Sequence, residues 1–275
     1  MHSCSRPLLC VVTALSLCGC AEMAGPRVDT SNVEAVRKAL RQVADSAVPF
    51  RANGQCRFAV VHDSGRIERF SLPVNIFVNP PYEIYMQGQV GIGPGGLVFL
   101  GADQQQYWVG IRPQLNSFWW GNWSSGYDGR LPISPGIILE SLGLMADADP
   151  NRIRLSAQSG RAVVTYLDAN GRARKRVFLQ QGTARVRRIE YLDDRGQLAA
   201  SVELARYERL TEVFFVPSRI TAEAYEEGKR TCWVRLSLSS IMHRRYNEQF
   251  RQRYFRRPEP YGFERVIQIG QEDLK

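Results

Sequence analysis

Few side chains in this sequence could do covalent or metal chemistry, and their spacing argues against most of them. The 275 residues include three histidines, and no histidine or cysteine pair shows metal-ligand spacing. His62-Asp63-Ser64 sets the three residue types of a hydrolase triad side by side, but adjacent positions alone cannot build the triad's geometry. Gly91-Ile-Gly93-Pro-Gly-Gly96 matches a dinucleotide-binding loop. That chemistry needs a helix N-terminus behind the loop to hold pyrophosphate, whereas the strand-like Leu97-Val-Phe-Leu100 follows. A glycine-rich hairpin is expected there. Asp147-Ala-Asp149-Pro-Asn151 opens like a calcium loop, then places Arg152 where glycine is required and Gln158 where a bidentate glutamate is required. It reads as a helix-exit turn. No carboxylate pair is nominated, so the expectation is a protein that is not an enzyme, with no metal and no cofactor.

The thiol with the clearest chemistry is Cys20. A short basic start ending at Arg6 precedes the apolar run from Pro7 to Leu17, which is too short to span a bilayer, and Leu17-Cys18-Gly19-Cys20 closes it. This pattern resembles a bacterial lipobox, in which the last cysteine is lipidated and the peptide is cut before it. Residues 1–19 are therefore expected to be a lipoprotein signal peptide and 20–29 a tether. An ordinary secretory signal is the simpler alternative. With the signal removed and Cys20 carrying lipid, Cys56 and Cys232 remain, a candidate disulfide in an oxidising compartment or else two buried free thiols.

The formal charge is +9. In an exported protein such an excess suits anionic lipid or acidic polymer better than nucleic acid. The arginine runs 172–176, 185–188 and 244–257 have a plainer reading as solvated surface.

These groups need elements to hold them. Ser31-Asn-Val-Glu34 is a capping box, and Val33, Val36, Leu40, Val43 and Ala47 form one apolar stripe of a helix ended by Pro49. Strands are expected at 56–62, 67–78, 82–90, 97–100, 106–112, 153–157, 162–167, 174–179, 187–192, 198–207, 214–224 and 231–238, many with period-two alternation. Tight turns such as Asp168-Ala-Asn-Gly171 join them, and Tyr-Leu-Asp-x-x-Gly recurs at 166–171 and 191–196, as successive hairpins would have it. Residues 132–145 read as a second short helix, with Ile138, Leu142 and Met145 on one face. Together these predict an antiparallel sheet with one wet and one dry face, and two helices in need of apolar cover. Trp108, Phe118, Trp119, Trp120 and Trp123 form an aromatic cluster that either lines a hydrophobic ligand site, dips into a membrane interface, or plugs the core. Met242, Tyr246, Phe250 and Tyr254, four apart among arginines, suit a basic amphipathic helix or a segment pinned by its aromatics.

The order of these features is similar to that of a known family. Lipobox, amphipathic helix, paired strands, the break Asn79-Pro80-Pro81-Tyr82, the strand bearing Tyr107-Trp108, a Leu/Ile-rich helix, Ile189–Gly196, Val216–Ile220 and Asn247–Phe250 follow in turn. The chain resembles the LolA/LolB-like lipoprotein-localisation factors over residues 33–261. The resemblance implies a mainly β (α+β) fold, a curved antiparallel half-barrel with helices covering the concave face, as one domain over 30–275 with an extended C-terminal segment. It implies a protein that holds a lipid or lipoprotein acyl chain in that cavity; the lipobox adds a lipid anchor in the cell envelope, and Ala21 after the lipidated cysteine, with no aspartate there, points to the outer membrane facing the periplasm. Exposing an acyl chain to water costs about 0.8 kcal/mol per methylene, so a dry concave sheet under helical lids would stand in for the bilayer. The expected ligand contacts are Val36, Leu40 and Val43 on one lid, Ile137, Ile138 and Leu142 on the other, and Trp108, with Phe118, Trp119, Trp120 and Trp123 near the mouth. The alternative is an envelope interaction or sensor module on the same fold that binds a protein partner through the tryptophans and the basic surface. An exposed aromatic patch away from any cavity would distinguish it.

Overall fold

The computed structural model describes residues 27–61, 65–89, 97–112, 115–123, 135–144, 152–158 and 161–270. Cys20, the signal and most of the tether, His62–Ser64, Gly91–Gly96, Met145 and Asp147–Asn151 lie outside the described residues.

Helix α1 (Val33–Asp45) leads into strands β1 (Phe50–Val61), β2 (Ile67–Asn79), β3 (Glu83–Gln89), β4 (Leu97–Ala102), β5 (Gln106–Ile111) and β6 (Ser117–Asn122). Helix α2 (Pro135–Ser141) follows, then β7 (Ile153–Gln158), β8 (Arg161–Leu167), β9 (Ala173–Leu179), β10 (Val186–Leu192), β11 (Leu198–Arg209), β12 (Phe215–Glu226) and β13 (Lys229–His243). A third helix, α3 (Glu248–Tyr254), and β14 (Arg265–Gln268) close the chain.

All fourteen strands belong to one open, curved sheet in the order β14-β6-β5-β4-β3-β2-β1-β13-β12-β11-β10-β9-β8-β7. It consists of two antiparallel meanders, β6 to β1 and β13 to β7, joined where β1 pairs with β13 over most of its length. The half-barrel predicted above is therefore present. Short alternating strands and tight turns build it locally. In the two echoed turns, Asp168 accepts from the backbone of Asn170 and Arg172, and Asp193 from that of Arg195 and Gln197. Gly171 and Gly196 take the left-handed φ of 75° and 76° that each hairpin needs.

Alternation sends Cys56, Phe58, Leu72, Val74, Met86, Leu100, Val109, Val177, Ile189, Val202, Ile220 and Val234 to the concave face, where they form the main core. Helix α2 lies in the crossover between the meanders and crosses this face. It packs on β4 and β5 on one side, and Glu140 reaches Lys175 of β9 and Tyr191 of β10 on the other. Helix α1 covers the β7–β8 end. Its N-cap is Asn32, whose side chain accepts from Glu34 and Ala35 N–H at 2.9 and 3.1 Å. The predicted capping box is thus replaced: the Ser31 hydroxyl turns back to Asp29 at 2.6 Å.

The convex face carries a second, smaller core. Phe99, Trp108 and Phe118 pack there, covered by Tyr85, Trp120 and Phe263. Residues 244–270 strap this side. Tyr246, Phe250 and Tyr254 gather around Phe77, and Tyr254 meets Tyr85. Arg251 grips Glu83 with two hydrogen bonds of 2.7 and 3.1 Å, and β14 joins β6 as the one parallel pair among the described strands. The apolar side of 246–254 is spent on the sheet, so this segment is pinned by its aromatics.

Candidate functional site

The helices do not close the concave face completely. A pocket lies between α1, the C-terminal end of α2 and strands β8–β12, with Leu40, Val43, Leu142, Val177, Ile189 and Phe215 among its apolar walls. Its cavity volume is about 90 Å³, and it is partly open to solvent. A dry cavity of about 150 Å³ holds benzene. The pocket as it stands therefore admits a few methylene groups, and the rest of a longer chain must lie towards its open side or displace a helix. Two smaller apolar cavities continue along the same face. One of about 20 Å³ sits against Ile137 and Ile138, and one of about 30 Å³ lies among Phe58, Leu72, Met86 and Leu100.

The polar groups of the pocket stand at its two ends. At the α2 end, Glu140 Oε2 accepts from Tyr191 O–H at 2.7 Å and lies 3.3 Å from Lys175 Nζ. The Lys175 ammonium sits 4.3 Å from the centre of the Tyr166 ring. The two side chains of this ion pair are only 13% and 21% exposed, so it fastens α2 to the sheet in a poorly hydrated place. Tyr166 and Tyr191 are the tyrosines of the echoed turns, which puts both copies of that motif beside the same latch. At the other end Arg185, 6% exposed, lies 4.4 Å from the Phe215 ring centre and 5.5 Å from that of Tyr207. The Tyr207 hydroxyl donates to the Val186 carbonyl.

Of the residues singled out in the sequence, Leu40, Val43 and Leu142 line this pocket. Val36 is buried and faces a small cavity on the β7–β8 side together with Leu40. Ile137 and Ile138 line the cavity beneath α2. The aromatic cluster does not act as one group. Residues 118–120 are strand β6, so neighbouring rings point to opposite faces. Trp119 and Trp123 pack against the main core, and the Trp123 indole N–H donates to the Asp103 carbonyl at 2.7 Å. Trp108 and Phe118 are fully buried on the convex side, and Trp120 lies there under Arg257, 3.9 Å from its ring centre. These three are turned away from the concave pocket, a correction to Trp108 as a ligand contact and to Phe118 and Trp120 near the mouth.

The candidate disulfide is corrected as well. Cys56 and Cys232 are both buried and are not joined in a disulfide. Cys56 faces Leu236 and Cys232 faces Val60 in the β1–β13 register, so the two are four residues, about 13 Å, out of step. A bridge needs Cα atoms within about 7 Å. Burial pushes their thiols up, to about 12 for Cys56 and about 11 for Cys232.

Sequence reasoning missed Tyr166, Lys175, Arg185, Tyr191, Tyr207 and Phe215. Lys175 and Arg185 belong to basic runs assigned to the solvated surface. The signal was the strand period: Lys175, Val177 and Leu179 alternate with outward-facing residues, so the inward register of Val177 carries Lys175 with it.

No protein-family profile and no curated protein matches this chain. Solved structures do. A DUF1329 family protein from Desulfovibrio piger superposes with a TM-score of 0.50 at 12% identity, over 82% of this chain and 97% of that one. A domain from Vibrio parahaemolyticus assigned as an outer membrane lipoprotein-sorting protein does so with a TM-score of 0.50 at 11% identity, over 81% and 98%. A LolA superfamily protein from Nitrosomonas europaea gives 0.48 at 13% identity, over 79% and 96%. The chain has a LolA-like fold.

Proposed function

We propose that this protein is an exported, lipid-anchored component of the cell envelope that binds one hydrophobic chain, from a lipid or a lipoprotein, between its concave sheet and its helices. The apolar pocket between α1, α2 and β8–β12 carries this reading. The anchor would be Cys20, and the outer membrane facing the periplasm its place. The fold that the chain shares with an assigned lipoprotein-sorting domain supports a role in lipoprotein localisation. Binding rather than catalysis is the work of such a site: it lends a chain apolar contact worth about 0.8 kcal/mol per buried methylene. The Glu140–Lys175 pair offers a way to hold α2 shut over an empty groove and release it over a filled one.

The test is native mass spectrometry, with lipid extraction, on protein purified without detergent. One bound acyl-chain species per molecule is expected, and Val43→Trp, which fills the pocket from the α1 side, should abolish it. Lipid-free wild-type protein that also refuses added lipid would defeat the proposal.

A further inference from the structure

We infer that the convex face binds a linear acidic polysaccharide along a diagonal line of arginines, Arg69, Arg57, Arg235 and Arg219. The strand registers place them. Arg57 of β1 directly faces Arg235 of β13, Arg69 of β2 faces Ala59, and Arg219 of β12 faces Ser237, which faces Gln55. The line therefore crosses the adjacent strands β2, β1, β13 and β12 while passing from the level of Ala59 to that of Gln55. With strands about 4.8 Å apart and a rise of about 3.3 Å per residue, it is roughly 20 Å long. Its members alternate with Phe70, Phe58, Leu236 and Ile220 of the main core, so all of them point to the convex side. Arg57, Arg69 and Arg235 are exposed and Arg219 is half-buried. The pocket lies on the opposite side of the sheet, so this inference stands apart from the acyl-chain reading.

Like charges directly opposite one another weaken a pair of strands, and Arg57 and Arg235 are such a pair, at the seam between the two meanders. Among the described residues, no carboxylate is ion-paired with any arginine of the line. The acids of that face are engaged or distant. Glu190 holds Arg176 and Arg188, and Glu223 holds Arg230. Glu203 stands two strands, roughly 10 Å, from Arg235, with Thr221 between them. The free positive charge thus forms a line one guanidinium wide, with acids on its β10–β12 side. A flat anionic surface laid on this face would meet both signs. An extended polyanion following the diagonal meets cations alone, and it offsets the repulsion between Arg57 and Arg235. Each guanidinium presents a fork that fits a carboxylate. The flanks suit sugar rings: Gln55, Ser237 and Asn53 offer partners to hydroxyls, and half-buried Trp233, level with Ala59, offers an apolar ring face.

The experiment titrates the full chain with polygalacturonate, a linear uronate polymer, and with neutral dextran, read by calorimetry at about 0.15 M salt and below. Polygalacturonate should bind about ten-fold or more tightly than dextran, and more weakly as salt rises. Arg57→Ser with Arg235→Ser should weaken it about ten-fold or more, and Arg69→Gln, at the exposed end of the line, about three-fold. Arg161→Ser with Arg195→Ser removes the same charge from β8 and from the β10–β11 turn, and should leave the affinity unchanged. Urea unfolding should find the Arg57→Ser, Arg235→Ser protein at least as stable as wild type, since a repulsion has been removed; its loss of binding is then not a loss of fold. Equal losses in the two double variants would reduce the effect to net charge and overturn the inference. So would a failure to bind polygalacturonate, including the case in which phosphatidylglycerol vesicles or a single-stranded oligonucleotide bind instead and lose that binding in the Arg57→Ser, Arg235→Ser protein.

Discussion

Replacing Glu140 with glutamine tests whether α2 is held to the sheet by charge. The amide side chain would keep the size of the carboxylate and one oxygen to accept from Tyr191, now 2.7 Å away, so the substitution removes little except the negative charge facing Lys175 at 3.3 Å. A solvent-exposed pair contributes about 0.2–1 kcal/mol, and removing one partner of a fully buried pair costs about 3–5 kcal/mol. With side chains 13% and 21% exposed, this pair stands between those limits, and a loss of about 2 kcal/mol is expected from Glu140→Gln. Urea unfolding should show it as a lower midpoint at constant slope. Lys175→Met alone should cost a similar amount. The double variant should cost less than the sum of the singles, with a coupling energy of at least about 1 kcal/mol. Hydrogen exchange should then find the α2 amides opening faster while those of β1 and β13 are unchanged. A Glu140→Gln protein as stable as wild type, with no coupling to Lys175, would mean that α2 is held by Ile137, Ile138 and Leu139 alone and that no electrostatic latch exists.

A methyl added at Gly101 would lie 2.5 Å from the Trp108 indole, and one at Gly110 2.5 Å from the Phe99 ring. Each Gly→Ala change should therefore cost about 1–3 kcal/mol in urea titrations. Arg251→Met leaves Glu83, 6% exposed, without its bidentate partner, and limited proteolysis should then cut within 244–270 while the sheet survives. Iodoacetamide should leave Cys56 and Cys232 untouched at about pH 8 in the folded protein and label both in denaturant without prior reduction, since burial pushes the thiols to about 12 and about 11. The Tyr225 hydroxyl and then Arg230 hold the Glu223 carboxyl below its ordinary 4.5, against desolvation. Its contribution to stability is thus complete above about pH 4.5 and fades as the pH falls through the lowered value. Glu223→Gln should flatten that acid decline, measured by thermal melts from about pH 6 to about pH 3.

The sheet was legible because most of its strands need cover on one side only. Val202, Leu204 and Ala222 point in while Glu203 and Thr221 point out, and a period of two records that directly. Helix α1 was legible for the same reason at a period of 3.6. Strand β6 was not. Its Phe118-Trp119-Trp120 run is covered on both faces, by the main core inside and by the C-terminal strap outside, so no alternation survives to be read. The strap itself depends on partners far away in the chain, such as Glu83 for Arg251 and β6 for β14, which no local pattern encodes. The site was half visible for a related cause. Leu40, Val43 and Leu142 declared themselves by lying on apolar stripes, whereas Lys175 and Arg185 are cations that face inward, and hydropathy alone assigns them to water.

The division of the tryptophans between the two sides of the sheet gives the molecule a pair of optical gauges. Trp119 and Trp123 sense the interior, and Trp108 and Trp120 sense the layer beneath the C-terminal strap. Single-tryptophan variants could therefore time the peeling of that outer layer against the melting of the interior within one polypeptide, with no foreign dye attached. A strap that lifts first would shift the emission of Trp120 to the red while Trp119 still glowed blue.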